Sequence, residues 1–282
     1  RSRGGADPLS HDDLRVRARF LRQLGFVATE PLESAPPAGE ETLEQRAWQL
    51  GVSPGFLERA FGDVACVIAP QPAPQPAASA EWSGAPLATR EERLAALAAI
   101  ADEVDGCRAC GLCHGRTKTV PGDGDPMSPL VFVGEGPGAE EDKSGIPFVG
   151  RAGQLLTKMI EAMGYDRSEV FILNIVKCRP PGNRTPLPEE MDACLPYLRR
   201  QLEVIRPRVM VCLGATAVAG LFPQLAKTGI TKLRGQWRKF GPADVMPTYH
   251  PSYLLRNPAA KRPVWEDLQQ VMKVFGKTGK RE

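Results

Sequence analysis

Cysteines are the residues whose number and spacing most directly suggest chemistry in this sequence. The chain has seven, and four of them form two pairs far apart in sequence: Cys107 with Cys110, and Cys178 with Cys194. Four thiolates can bind either a tetrahedral Zn²⁺ ion or an iron–sulfur cluster, and the spacing alone does not decide between the two. Cys113 can replace Cys110 as a ligand. The remaining two cysteines are expected to be inert apolar residues.

A glycine-rich turn marks a second candidate site. The stretch from Pro129 to Arg151 begins with a short apolar strand, continues through GEGPG and then presents three consecutive carboxylates. Open α/β sheets bind their ligands at such turns, because glycines let backbone amides approach the ligand closely. The turn also fits a dinucleotide-binding fingerprint from Gly134 to Ala139, but the carboxylates would repel a pyrophosphate. A purely structural turn is the other interpretation.

The elements that must position these residues alternate along the chain. Apolar runs predict strands at 130–133, 170–176, 208–213 and 244–249. The segments between and after them predict helices at 153–162, 188–205, 215–222 and 261–275. Such alternation predicts an α/β fold with a mostly parallel sheet covered by helices on both faces, and with ligands at the carboxyl ends of the strands. Glu135, Asn174 and His250 each lie at or just past a predicted strand end.

Composition divides the chain into four parts. An N-terminal extension, residues 1–68, is expected to be small and helical, with helices at 11–24, 41–50 and 54–61. Residues 69–88 are rich in proline and alanine without periodicity, which indicates a flexible linker. From Thr89 a capping box and an apolar stripe predict a helix that leads into the cysteines. The main domain is expected to span 89–276, followed by a short tail at 277–282.

Charge is distributed unevenly along the chain. Residues 1–106 carry 10 Lys and Arg against 16 Asp and Glu, whereas residues 107–282 carry 26 against 17. A basic carboxyl-terminal part suits a polyanionic partner, although such charge is also common on an ordinary solvated surface. There is no apolar run of about 18 residues and no charged-then-apolar leader, which predicts a soluble, cytoplasmic protein without a membrane partner.

Several motifs occur together in an order that resembles the family 4 uracil-DNA glycosylases. They are the CxxC pair, GEGPGAEED, GIPFVGRAGQLL, NIVKCRPPGNR, a cysteine sixteen residues after Cys178, and HPSYLLR. Linked motifs of this length, spread over residues 89–276, are more specific than any one of them. The resemblance implies a three-layer α/β/α fold and hydrolysis of the bond between uracil and deoxyribose in DNA. It also implies a [4Fe–4S] cluster, with Zn²⁺ as the alternative, on Cys107, Cys110, Cys178 and Cys194.

The resemblance further assigns residues of a uracil pocket. Asn174 would hydrogen-bond the Watson–Crick edge of uracil, since an amide presents a donor and an acceptor in one plane. Phe148 would stack on the flipped base, and Glu141 would occupy the space that the methyl group of thymine needs. Each has an ordinary alternative: a turn-capping amide, a core aromatic and a solvated carboxylate. Gly136 falls where family 1 enzymes carry an aspartate, so a general-base carboxylate is absent there.

Two residues are expected to carry the chemistry, Glu135 and His250. Breaking the glycosidic bond puts positive charge on the sugar and negative charge on the departing base, so the site must offset both. His250 is expected to donate a hydrogen bond to uracil O2, in its neutral or its protonated form. Glu135, with the adjacent backbone, is expected to hold the attacking water and to favour the positively charged sugar. Positioning and electrostatics would then carry catalysis.

The segment HPSYLLR is also expected to contact DNA. Ser252, Tyr253 and Leu254 would meet the DNA where the nucleotide leaves, with the apolar side chains wedged into the base stack. Arg256 would face a phosphate. Other basic residues around the pocket would add phosphate contacts that weaken as salt rises: Arg184, Arg179, Lys177 and Lys143.

Two alternatives are set against the hydrolase interpretation. One is a non-catalytic iron–sulfur or zinc module that binds nucleic acid, and the other is a nucleotide-binding oxidoreductase suggested by the glycine turn. A related branch of the superfamily traps the abasic sugar through a histidine in the loop that here reads CRPPGNRTP. This loop contains no histidine, so hydrolytic turnover is favoured. We expect a monomer that acts in base excision repair on uracil-containing DNA, single- or double-stranded.

Overall fold

The computed structural model of this chain describes residues 85–277, Trp82, and the backbone of two short strands nearer the amino terminus. Clustering of contacts divides the chain into two units, Arg1–Pro76 and Ala77–Glu282. All the residues expected to carry chemistry belong to the second unit. Cys66 and the helices predicted for the extension lie outside the described residues.

In the first unit the described residues form a strand pair. Strands β1 (Phe26–Ala28) and β2 (Ile68–Pro70) run antiparallel, with Phe26 opposite Pro70. Neither strand is predicted by the sequence patterns, which indicate only helices in this part of the chain. Strand β2 also crosses the predicted start of the linker at residue 69.

A six-stranded sheet forms the centre of the second unit. Its strands are β3 (Asp123–Gly124), β4 (Leu130–Gly134), β5 (Phe171–Asn174), β6 (Val209–Leu213), β7 (Arg238–Phe240) and β8 (Ala243–Thr248). They lie in the order β3-β5-β4-β6-β8-β7, and the four central strands are parallel while the two edge strands are antiparallel. Strands β4, β5 and β6 are buried along their whole length, as continuous apolar runs in parallel strands predict. The predicted mostly parallel sheet is confirmed.

Helices cover both faces of this sheet. Their bounds are α1 (Arg90–Gly106), α2 (Ala139–Ser144), α3 (Arg151–Ala162), α4 (Pro188–Ile205), α5 (Ala215–Leu221), α6 (Ile230–Leu233), α7 (Pro251–Arg256) and α8 (Lys261–Val274). Helix α1 begins with the predicted capping box, in which Thr89 and Glu92 each accept a hydrogen bond from the other's backbone N–H. None of the helices in the described part of the chain is long and apolar enough to cross a membrane.

Alternation along β4 separates two apolar cores. Val131 and Val133 face a core that also contains buried residues of α1, α4 and α5. Leu130 and Phe132 face the opposite core, which contains buried residues of α3 and α8. Side chains of a strand point alternately to the two faces of a sheet, so one strand contributes to both cores. The three-layer α/β/α architecture predicted from the sequence is therefore confirmed.

The strand register brings the four segments that follow the parallel strands to the same end of the sheet, the end at which these strands have their carboxyl termini. Gly134 is paired with Asn174 across β4 and β5, and Leu213 is paired with Thr248 across β6 and β8. The residues that follow these strands therefore emerge at the same level. The two short helices α2 and α7 also lie at this end of the sheet, and neither is among the helices that the sequence patterns predict. Acidic residues in the first turn of α2 favour that helix through its dipole.

Candidate active site

A cavity of about 550 Å³ lies at the carboxyl ends of the parallel strands. Among its lining residues are most of the residues predicted to bind uracil or DNA or to catalyse: Glu135, Gly136, Glu141, Phe148, Asn174, Arg184, His250, Ser252, Tyr253 and Arg256. The exceptions are Leu254 and three of the predicted phosphate contacts, Arg179, Lys177 and Lys143. The fold thus brings together side chains that are far apart in the sequence, as expected for the edge of an α/β sheet.

Asn174 closes strand β5 at the floor of this cavity. Its side chain is buried, with 1% of its surface exposed, and within residues 85–277 its Oδ1 atom has no hydrogen-bond partner. Gly134, on the neighbouring strand, leaves room for it. A Cβ atom at Gly134 would lie 2.4 Å from Asn174 Oδ1 and 2.5 Å from the Phe148 ring. Only glycine at this position allows the amide and the aromatic ring to lie so close to the strand.

Phe148 lies beside Asn174 and has an unusual backbone. Its φ angle is +53°, a left-handed conformation that costs a bulky residue energy. Its ring lies 5.6 Å from that of His250, with the planes tilted by 34°. The side chain is both a member of an apolar core and a lining residue of the cavity. Its two predicted roles, stacking aromatic and core aromatic, are therefore compatible.

Glu141 joins the glycine turn to the loop that carries Phe148. Its carboxylate accepts hydrogen bonds from the backbone N–H groups of Gly138 at 3.1 Å, of Val149 at 2.9 Å and of Gly150 at 2.9 Å. Glu141 is thus not a freely solvated carboxylate. The two loops that it joins form one wall of the cavity.

His250 is the N-cap of helix α7. Its Nδ1 accepts a hydrogen bond from the backbone N–H of Ser252 at 3.1 Å and lies 2.8 Å from the hydroxyl of the same residue. Burial and the positive charge of Arg256 lower the pKa of His250 to about 4. The imidazole is therefore neutral at physiological pH. Because Nδ1 accepts a hydrogen bond, Nε2 carries the proton.

Glu135 follows strand β4 and is held by a residue that the sequence analysis does not identify. The hydroxyl of Thr216 donates a hydrogen bond to the Glu135 carboxylate. Burial raises the pKa of Glu135, and this hydrogen bond partly opposes the rise. Thr216 lies in the first turn of α5, just after Gly214, whose φ is +93°. A second glycine turn after a strand is the signal that could have identified it.

Leu254 does not line the cavity, and its predicted role as a wedge is wrong. Its side chain is 1% exposed and belongs to an apolar core. Residues 251–256 form a short helix, which the sequence patterns do not predict, and Leu254 points inward from it. Tyr253 and Leu255, its neighbours on that helix, are 38% and 41% exposed.

The predicted phosphate contacts differ in their surroundings. Lys177 is completely buried, so its prediction as a phosphate contact is wrong. The Arg184 guanidinium is paired with the Glu190 carboxylate through two hydrogen bonds, of 2.8 and 2.6 Å, although it lines the cavity. Arg256 is exposed at the rim of the cavity.

A second, smaller cavity contains the cysteines. Five of them line it together with Arg116, Lys177 and Tyr197: Cys107, Cys110, Cys113, Cys178 and Cys194. Burial raises the pKa of the Cys194 thiol to about 11. Cys212 lies apart from this cavity, fully buried in β6, as expected of an inert apolar residue.

The donor set of this cavity fits a metal centre. Arg116 donates to Cys178 Sγ at 3.2 Å, and the backbone N–H of Lys177 donates to Cys194 Sγ at 3.3 Å. Hydrogen bonds to sulfur are typical of the surroundings of thiolate-held zinc and iron–sulfur clusters. In the part of the chain that the structure describes, no three of the possible ligands are already at metal-binding geometry. The assignment therefore depends on the chemistry of the donors.

Comparison with known proteins places this architecture in a family. Residues 121–269 match the model of the uracil DNA glycosylase superfamily. The type-4 uracil-DNA glycosylase of Thermotoga maritima is 48% identical over 196 residues, which cover 68% of this chain and 99% of that protein. Type-4 uracil-DNA glycosylases of Sulfurisphaera tokodaii and Saccharolobus solfataricus are 46% and 45% identical over 179 residues, which cover 61% of this chain and 81% and 83% of those proteins. The chain belongs to the type-4 family of uracil-DNA glycosylases.

Proposed function

We propose that this chain is a uracil-DNA glycosylase of base excision repair, which flips uracil out of DNA and hydrolyses its N-glycosidic bond. The observation that carries the proposal is the unpaired Oδ1 of Asn174 at the floor of the cavity. A buried acceptor without a partner costs about 1–3 kcal/mol. A ligand that supplies the missing donor would remove that cost.

Uracil supplies such a donor. Its N3–H group would donate to Asn174 Oδ1, and its O4 atom would accept from the amide nitrogen of the same side chain. Cytosine has an acceptor at N3 and an amino group at C4, so both hydrogen bonds would be lost and the buried amide left unpaired. Phe148 would stack on the base. Glu141, by holding the Phe148 loop through Val149 and Gly150, would fix the wall against which the methyl group of thymine would collide.

His250 and Glu135 are proposed to act on the two ends of the breaking bond. The neutral His250 donates from Nε2 to uracil O2 and stabilises the negative charge that develops on the leaving base. Glu135, oriented by Thr216, holds the attacking water and offsets the positive charge of the sugar. The raised pKa of Glu135 makes its carboxylate a stronger hydrogen-bond acceptor for that water.

Helix α7 is proposed to meet the DNA beside the flipped nucleotide. The exposed side chains of Tyr253 and Leu255 replace the buried Leu254 as the apolar groups available to fill the gap in the base stack. Arg256, at the same end of the helix, would bind a phosphate. Ser252 lies at the start of the helix, where its backbone N–H and hydroxyl already fix the ring of His250.

We propose that the small cavity holds a [4Fe–4S] cluster on Cys107, Cys110, Cys178 and Cys194, with Zn²⁺ as the alternative. When bound, the group supplies covalent links between the end of α1, the segment after β5 and helix α4. Cys113 also lines the cavity, so separate Cys110→Ser and Cys113→Ser variants decide which of the two is the ligand. Iron, sulfide and zinc analysis of the purified protein distinguishes the cluster from zinc.

The proposed activity is tested with a labelled oligonucleotide that contains one uracil, followed by alkali treatment and a sizing gel. A matched strand with thymine at the same position is the control. Cleavage confined to the uracil strand supports the proposal. Absence of cleavage by protein with full metal content would contradict it and would favour a non-catalytic nucleic-acid-binding module.

We further propose that the protein acts as a monomer in the cytoplasm. All the residues of the proposed pocket come from one chain, so a partner copy is not needed to complete it. The six cysteines within residues 85–277 form no disulfide, which is typical of a chain in a reducing compartment. Light scattering coupled to size exclusion measures the oligomeric state.

A further inference from the structure

Lys177 is buried in the short segment of chain that connects the residues of the two cavities, and no role proposed so far uses it. Its side chain is among the largest that are fully buried in the described residues. It lies between Asn174, which is proposed to recognise uracil, and Cys178, which is proposed to bind the cluster. It also lines the cysteine cavity itself.

Three groups of Lys177 join three different segments of the chain. Its ammonium donates a hydrogen bond to the backbone carbonyl of Asn174 at 2.9 Å. Its backbone N–H donates to Cys194 Sγ at 3.3 Å. Its backbone carbonyl accepts from the N–H of Val120, in the segment that follows the first group of cysteines, at 2.8 Å.

The two residues between Asn174 and Lys177 make backbone hydrogen bonds to the neighbouring segment, as the residues of the strand do. The N–H of Ile175 donates to the carbonyl of Gly134 at 3.0 Å, and that of Val176 donates to the carbonyl of Glu135 at 3.1 Å. These two bonds continue the pairing of β4 with β5 into the glycine turn. A change in the position of Lys177 would therefore reach both Asn174 and Glu135 through the backbone.

Burying an ammonium group is costly unless an opposite charge or several acceptors compensate for it. The Asn174 carbonyl is one acceptor. The cysteine cavity, which Lys177 also lines, would provide the other compensation, because thiolates bound to a metal centre would carry negative charge. The burial of a lysine here is explained if its ammonium binds the backbone carbonyl of Asn174 and its charge is balanced by the thiolates of the cysteine cavity.

We propose that Lys177 is a positioning residue of the glycosylase. Its ammonium fixes the backbone carbonyl of Asn174 and so orients the side-chain amide that recognises uracil, while the metal-bound thiolates balance its charge. This inference rests on the proposed function. It assigns to the cysteine cavity a direct part in base recognition, besides its part in stability.

The test is a double-mutant cycle between Lys177→Met and Asn174→Ala. Methionine keeps the length of the side chain and removes its charge and the hydrogen bond from its ammonium to the Asn174 backbone carbonyl, while the backbone hydrogen bonds of residue 177 stay. We expect Lys177→Met to keep its visible absorption and to lose about 10- to 100-fold in kcat/KM, the size expected for a misplaced recognition group. Its affinity for free uracil, measured by calorimetry, should fall about tenfold. In the Asn174→Ala background the same change should have little effect, because the group it positions is gone.

The control is Lys158→Met, which removes an exposed lysine of α3 and should leave rate and uracil affinity unchanged. Equal losses from Lys177→Met with and without Asn174, or rate and uracil affinity equal to wild type, would overturn the inference. If the Met variant loses its colour, Lys177→Gln, which retains a donor near the Asn174 carbonyl, is put through the same cycle. Loss of colour in both would assign Lys177 to cofactor assembly and overturn the positioning role. Failure of the wild-type protein to release uracil would instead refute the proposed function.

Discussion

The cavity that contains Asn174 and the cavity that contains Cys178 are joined by a short segment of chain, yet their polar groups are in different states. In the first cavity a buried amide oxygen is without a partner, Phe148 has a left-handed backbone, and exposed side chains of α7 stand at the rim. In the second, sulfur atoms already accept hydrogen bonds from Arg116 and from the backbone of Lys177.

This difference indicates what each cavity is for. Strained or unpaired groups persist where a ligand compensates for them during the reaction, so the first cavity suits a ligand that comes and goes. Sulfur atoms that already accept hydrogen bonds from the protein suit a group that stays bound. Substitutions in the first cavity should therefore change rates, and substitutions in the second should change stability.

Cys178→Ala should give the largest effect. We expect it to lose its visible absorption and at least about 3 kcal/mol of unfolding free energy, because metal binding is coupled to folding. Chemical denaturation and absorption spectra measure both quantities. Cys212→Ala is the matched control, since Cys212 is also buried but lies outside the cysteine cavity. A stable, fully coloured Cys178→Ala protein would remove Cys178 from the ligand set.

Asn174→Ala should lower the rate of uracil excision without lowering the stability of the protein. We expect uracil excision to fall by about 10²–10³-fold, the cost of removing one well-placed hydrogen-bonding group. The thermal midpoint should stay the same or rise, because the change removes a buried oxygen that has no partner in residues 85–277. Single-turnover kinetics and thermal unfolding are the measurements. A wild-type rate would contradict the assignment of the uracil pocket.

The pH dependence of kcat/KM should follow the ionisation of Glu135 and not that of His250. Burial raises the pKa of Glu135, so its carboxylate is lost, and kcat/KM falls, as the pH drops through that raised value. His250, whose pKa is about 4, stays neutral over the same range. The Thr216 hydroxyl lowers the pKa of Glu135, so Thr216→Val should move the acid limb of the profile to higher pH. An acid limb that is unchanged in both Thr216→Val and Glu135→Gln would contradict the role of Glu135.

Two substitutions in helix α7, Leu255→Ala and Leu254→Ala, should have different effects on stability and on the excision rate. Leu254→Ala should cost about 2–5 kcal/mol of stability, because it empties part of an apolar core. Leu255→Ala should leave stability unchanged and should slow excision from duplex DNA about tenfold, with a smaller effect on single strands, which need no base pair to be opened. Rates with the two substrates, beside a denaturation curve, decide between the outcomes. Equal rates on duplex DNA for Leu255→Ala and wild type would exclude Leu255 as the wedge.

The sheet and the position of its ligand site were predictable because local patterns determine them. Apolar runs of strand length give β4, β5 and β6, and the glycine turn and the polar residues at their ends give the pocket. The burial of Lys177 could not be predicted in this way. Lysine is usually exposed, and the groups that bury it here are the Asn174 carbonyl and the thiols around Cys194, which only the folded chain brings to it.

The error at Leu254 has a local cause. The histidine, proline and serine after β8 suggest a turn, but proline is also favoured in the first turn of a helix, and His250 caps the helix that follows. Once residues 251–256 are helical, the direction of each side chain follows from the 3.6-residue period. Thr216 escapes the sequence patterns for a different reason: its partner Glu135 follows β4, whereas Thr216 begins the helix that follows β6, and only the folded sheet brings the two together.

The spacing of the cysteines has a consequence for how the chain reaches its folded state. Strands β4 and β5 and the whole glycine turn lie between Cys113 and Cys178, and α4 carries Cys194 back to the same cavity. A cofactor that joined these thiols would close a long loop, and the entropy cost of that closure is smaller once the two strands are already paired. Incorporation of the metal would therefore come late and select chains whose sheet is already correct. The cofactor would act as a check on assembly in a protein whose active site depends on that register.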